Sequence, residues 1–315
     1  MAYSQSGLIE ATDYNNFVGT SPSSTVNTIN TVWSVGSGSA GYGQTALSTV
    51  SAAGVVTATQ WATAINTLNS ILTHQSGSGS GISATTAGTT INYLSTLSTN
   101  ITTSYTNRLN FNSNSAAVAG GALSSAWTNA TTVSTLTRAF GARAAFASAD
   151  QARYFFNSGG RLKLNCSGTQ NASTTGRTND IISMLGFLGG VGLFAANTNA
   201  GRLGTGGTLG TNATTIGYHT STYNANVTLV SVTSTVTAYA ADTASITVIT
   251  NGTQGTNNDK GLNVDYWITL NSTQGTGTGF DDSIGVNVIR SIDVSYPELT
   301  NLTANTWGAV TITSL

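Results

Sequence analysis

Ala149-Asp-Gln-Ala-Arg-Tyr-Phe-Phe-Asn-Ser-Gly-Gly160, followed directly by Arg161-Leu-Lys-Leu-Asn-Cys166, is the stretch that decides the fold. Residues 149 to 157 predict a short helix, stopped by Gly159-Gly160, because glycine tolerates the backbone that ends a helix in a sharp turn. Ala152, Tyr154, Phe155 and Phe156 give that helix a face for packing. The alternation from Arg161 onward predicts a strand that starts at once. A helix that runs without a linker into a strand has to lay its face on the sheet. The expected fold class is therefore α+β.

Downstream, Ile181 to Leu193 reads as a buried helix containing glycine. Beyond Thr220 the chain is β-rich, with strands expected over Val227 to Ala238, around Ile246 to Val248, over Val286 to Val294 and over Trp307 to Leu315. Between them Leu262, Val264, Tyr266, Ile268 and Leu270 alternate onto one face. Short strands separated by turn signals such as Asn251-Gly252 favour a sandwich over a parallel sheet. Upstream, Thr132 to Phe140 predicts a long strand. Earlier still, three segments show helical spacing: Val26, Ile29, Val32 and Trp33 after Pro22, with Thr12-Asp13 as a capping pair; Trp61, Ile65, Leu68, Ile71 and Leu72 behind a Thr57 cap; and Ile91, Leu94, Leu97, Ile101 and Tyr105. Trp33 and Trp61 are expected to staple the first helices together. The third has no salt-bridging charges and needs a partner surface. Gly77 to Gly81 reads as a flexible linker. The expected organisation is an N-terminal helical assembly region (1–80), a helix and linker (81–123), a central mixed α/β module (124–215) and a C-terminal antiparallel β-sandwich (216–315). No repeat period supports a solenoid.

Charged residues make up 7% of the 315-residue chain, against roughly 25% in ordinary globular domains. Hydroxyl, amide and small residues take their place, and 39% hydrophobic content is enough to fold. Proteins that dispense with surface charge pack against copies of themselves or against partners. No acidic residue lies between Asp13 and Asp150, the middle is basic, and Asp242 to Glu298 is acidic; this asymmetry points to separate modules. Basic residues occur singly, which argues against nucleic acid. No apolar run approaches the ~20 residues of a membrane span. The opening Met1 to Ser6 lacks a leader's charged and apolar regions, so synthesis in a cytoplasm without export is expected.

The residues able to do chemistry are few. Gly36-x-Gly38-x-x-Gly41 matches the dinucleotide fingerprint in letters, but no helix is expected to begin in it and no acid follows at the required distance, so the match reads as chance. His74, at a helix C-terminus, reads as an imidazolium facing the dipole. His219 has no local ligand partners, and Cys166 reads as a buried thiol. Asp281-Asp282 could hold Ca²⁺ with Asp259 or Asp265, although a solvated loop is the plainer reading. No catalytic residue, metal or cofactor is expected.

Ile9-Glu-Ala-Thr-Asp-Tyr-Asn-Asn-Phe17, Gly36-Ser-Gly-Ser-Ala-Gly-Tyr-Gly-Gln44, Val56-Thr-Ala-Thr-Gln-Trp61, Thr73-His-Gln75 and the Ala149 to Gly160 stretch form a set. Together they resemble virion structural proteins of tailed phages, especially marine and cyanobacterial ones, over roughly residues 9 to 165. The resemblance implies a tail-, neck- or baseplate-associated part (a fibre, a fibre adaptor or a collar protein). It implies assembly with copies of itself and other virion proteins, localisation in the virion and release by lysis. Trp33, Trp61, Ile91, Leu94, Tyr154, Phe155 and Phe156 are the expected packing and assembly residues. The alternative is a host receptor- or glycan-binding module that uses Tyr266, Trp267 or Trp307. A glycan-degrading enzyme ranks last, for want of paired carboxylates.

Overall fold

The computed structural model describes residues 10–19, 27–113, 115–129, 135–171, 175–200, 206–273 and 283–315. Four helices open it. α1 (Ala11–Val18) starts at Glu10, which closes a capping box with Asp13; the cap lies two residues before the expected Thr12. α2 (Ile29–Trp33) is capped by Thr28, while Pro22 and Val26 fall outside the described residues. α3 (Ala58–Ser76) is capped by Thr57 with Gln60 and runs one turn past Leu72, until Gly77 turns left-handed at φ +80°. α4 (Leu94–Thr106) begins after Ile91 and buries Leu97 and Ile101 against α2 and α3. The partner surface that this stripe was expected to need lies within the chain, with Ile91, Leu94 and Tyr105 partly buried against the core.

Trp61 packs its ring on Tyr14 and Phe17 of α1, centroids 6.0 Å away in both cases, and donates through Nε1 to the Tyr93 hydroxyl at 2.9 Å. Trp33, also buried, belongs to the same core. The expected linker after Gly77 is pinned: Asn69 Oδ1 accepts from Ser80 N and Oγ, and its Nδ2 donates to Ile82 O.

The remaining elements are β1 (Leu123–Asn129), β2 (Thr135–Ala145), α5 (Ala149–Asn157), β3 (Arg161–Gln170), α6 (Gly176–Leu188), β4 (Val191–Leu193), β5 (Thr198–Ala200), β6 (Thr208–Asn212), β7 (Val227–Thr233), β8 (Thr243–Asn251), β9 (Asn263–Thr273), β10 (Ile284–Ser295) and β11 (Thr311–Ser314). They build two antiparallel sheets in the orders β1-β10-β3-β4-β5 and β11-β2-β9-β8-β7-β6. The fold is mixed α+β with a sandwich-like β region. α5 covers the residues expected of it, and β3 begins at Arg161. The helix expected over 181–193 starts earlier, behind a Thr175 cap, and breaks before Gly190 at φ +89°, so that Val191–Leu193 becomes a strand. Part of the strand expected over 132–140 lies outside the described residues.

The expected boundary at 215/216 does not separate two sheets. β10 lies between β1 and β3, and β9 between β2 and β8, so both sheets draw strands from either side of it. The physical reason is ladder satisfaction: without β9 and β10, the inner edges of β2 and β3 would leave backbone N–H and C=O groups unpaired. α6 packs on β3 and β10 of one sheet and on β7 and β8 of the other. Arg290, buried on β10, links the sheets as well: Nε donates to Gly141 O of β2 (2.7 Å), Nη1 to Ser125 Oγ of β1 (3.0 Å) and Nη2 to Ser314 Oγ of β11 (2.6 Å).

Candidate functional site

Of the segments that carry the resemblance, α1 meets Trp61, whereas two others, 36–44 and 73–75, meet the stretch that holds α5. Arg153 and Asn157, four residues apart on one face of that helix, are both fully buried. Arg153 Nη1 donates to Val35 O (2.7 Å) and Ala40 O (2.8 Å), Nε to Asp259 Oδ1 (2.5 Å) and Nη2 to Asp150 Oδ1 (3.0 Å). Asn157 Nδ2 donates to Gly38 O (3.1 Å) and Gly41 O (3.0 Å). The loop over 35–41 therefore presents carbonyl oxygens inward, to a guanidinium and an amide. A dinucleotide loop does the reverse and presents N–H groups to phosphate.

The glycines of this loop are a geometric need rather than a chance of composition. Gly36, Gly38 and Gly41 all have positive φ, and a Cβ at Gly36 or Gly41 would stand 2.4 Å from Ala40 O or 2.3 Å from Val35 O. Gly38 N in turn donates to Asn257 O, which ties the 257–259 loop to the same latch.

The latch continues through amides. Gln44, 2% exposed, accepts at Oε1 from Thr303 N, Thr303 Oγ1 and Ala304 N, each at 2.9 Å. Tyr42 accepts from Gln75 Nε2 (2.9 Å) and donates to Arg108 O (3.1 Å). His74 Nε2 donates to Ser158 O (3.0 Å), and burial lowers its pKa. It is thus a neutral imidazole bonded across to α5, and not the imidazolium expected at the end of α3. Because Asn157 Nδ2 is already donating, its Oδ1 accepts from His219 Nε2 at 2.6 Å. Burial, and then the Arg153 charge, pull His219 down to about 3, so it stays neutral.

Cys166, Asp259 and Asp265, like the two histidines, are committed to structure. Burial pushes the Cys166 thiol up to about 12, and its Sγ donates to Leu185 O. Asp259 is held by Arg153 with both side chains buried, and Asp265 by Arg143 through two 2.7 Å bonds between strands in register. Neither is free for a cation. Asp281 and Asp282 lie outside the described residues, and among the described residues no three metal-ligating side chains cluster. Two of these pairings, Arg153–Asp259 and Arg143–Asp265, join the basic middle to the acidic end within one body.

Of the expected packing residues, Trp33, Trp61, Tyr154, Phe155 and Phe156 are buried, whereas Ile91 and Leu94 are partly buried against the core. Two of the expected ligand-facing aromatics are core residues instead. Tyr266 is 0% and Trp307 1% exposed; Tyr266 lies on the inward face of β9, and ring burial outweighs the cost of an unpartnered hydroxyl. Trp267, on the opposite face, remains partly exposed beside Gly141. The latch gave no direct sequence signal, except that Arg153 and Asn157 share a helix face beside a glycine turn. No family model, curated protein or solved structure matches this chain.

Proposed function

We propose that this chain is a structural component of a phage virion, tail- or neck-associated, that acts by assembling with copies of itself and other virion proteins and is not an enzyme. The observation that carries this reading is the near-absence of surface charge. The chain has only 10 basic and 11 acidic residues, and Arg153, Arg177, Arg290, Asp180, Asp242, Asp259 and Asp265 are buried. What faces outward is largely hydroxyl and amide, and charge depletion marks the desolvated centre of protein interfaces. The motifs behind the resemblance are one another's contact partners, which supports treating them as one architectural unit. No helix among the described residues is long and apolar enough to cross a membrane. The test is immunogold labelling of purified virions with an antibody to this chain. Gold at the tail or neck is the expected result; a chain missing from virions by mass spectrometry refutes the reading.

A further inference from the structure

A cleft of ≈ 590 Å³ opens where the Gly159-Gly160 turn meets the end of α3, the 109–111 segment and the turn between β4 and β5. This volume falls within the usual range for small-molecule sites, roughly 300–1,000 Å³. One wall is Arg161, whose guanidinium lies 4.2 Å from the Phe111 ring centroid and 4.8 Å from that of Phe194. Two rings beside one cation fix its plane. Gly159 makes this possible: at φ +93° it brings its backbone so close to Phe111 that a Cβ would stand 2.6 Å from the ring. Three amides complete the lining, Gln75, Asn110 and Asn197. Gln75 is 4% exposed; its Nε2 is spent on Tyr42 and Ser104 O, and its Oε1 has no hydrogen-bond partner. That oxygen is closed to solvent, so Gln75 shapes the back wall of the cleft, and Asn110 and Asn197, both exposed, offer the amides a ligand can meet.

We propose that this cleft binds a neutral pyranose sugar. Flat apolar rings, amides that both donate and accept, and one planar cation suit a ring with an apolar C–H side and a rim of hydroxyls. Phosphate ligands call for helix N-termini or several cations, and Arg161 is the only cation in the lining. The inference does not rest on the virion reading, because the cleft belongs to the folded chain wherever that chain resides. It also differs from the aromatics that the sequence pointed to, two of which are core residues.

The test is saturation-transfer NMR on the purified full chain with glucose, galactose, mannose, N-acetylglucosamine and glucuronate as separate probes. At least one neutral pyranose should show transfer. Its affinity should fall roughly tenfold in an Asn110→Ala/Asn197→Ala double variant, as expected from losing a hydrogen bond or two. Asn197 is exposed, so the fold should survive, and an unchanged melting temperature checks this. If that variant unfolds, Phe194→Leu, which removes a ring from the cleft, serves in its place with the same expected loss. Transfer that is absent, equally strong in the variant or confined to glucuronate overturns the proposal.

Discussion

Arg153 shows how a chain this poor in charge uses the few it has. Its guanidinium holds two carboxylates and two loop carbonyls, so three segments far apart in sequence converge on one side chain. Breaking a buried ion pair from one side strands the other charge, at about 3–5 kcal/mol. Arg153→Met should therefore destabilise by that amount in urea titrations. Arg153→Lys should recover little, because a single ammonium cannot reproduce the planar fork; a loss under about 1 kcal/mol for either would show that the latch contributes little. Asp180 is the opposite case. It is 2% exposed, accepts from Ser234 at 2.5 Å, and is pushed up to about 6 by burial and then by the charge of Asp242. The folded chain binds this proton more tightly than the unfolded chain, whose value is near ~3.9. The group's favourable contribution is therefore complete below that value and is lost as pH rises through about 6. Asp180→Asn, which mimics the protonated form, should raise the melting temperature at about pH 8 and change it little at about pH 4. The same gain at both would remove proton binding from the explanation.

Among the elements, α5 was readable residue by residue and the sheets were not. The ends of α5 are local matters: Ser148 caps it by accepting from Gln151 N, and the Gly159-Gly160 turn ends it. The faces of β9 were readable for the same reason, since alternation is local. Which strand pairs with which is not local: β2 meets β9 and β10 meets β3 across more than a hundred residues. The alternation in each segment fits many partners, so one interleaved body looked like two modules. Amide crosslinks were hidden in the same way; nothing near Gly77 announces that Asn69 pins the following turn. Phe155 and Phe156 test the role of α5 directly. Both are fully buried, Phe155 against Phe146 and Tyr296, and Phe156 stacked on Tyr218 at 4.4 Å. Each Phe→Ala change should cost about 3–5 kcal/mol. Variants that melt like the parent would make this face a binding surface rather than a core.

For the whole molecule, stability and surface are separate problems with separate solutions. A single core cluster spans the helical region and both sheets, while internal arginines and amides tie the loops down. Among the described residues, the exposed large apolar side chains are Val55, Val118, Val236, Leu299 and Leu315, far apart in sequence. Assembly would therefore run mainly through hydroxyl, amide and backbone groups, and with so few exposed charges among the described residues added salt would screen little. Sedimentation velocity of the purified chain over a range of concentration and ionic strength measures this directly. The expected result is a multimer, with a trimer the first expectation, whose size does not change with salt. A species of 32.0 kDa that stays monomeric at high concentration, or a multimer that dissolves as salt is added, would contradict it.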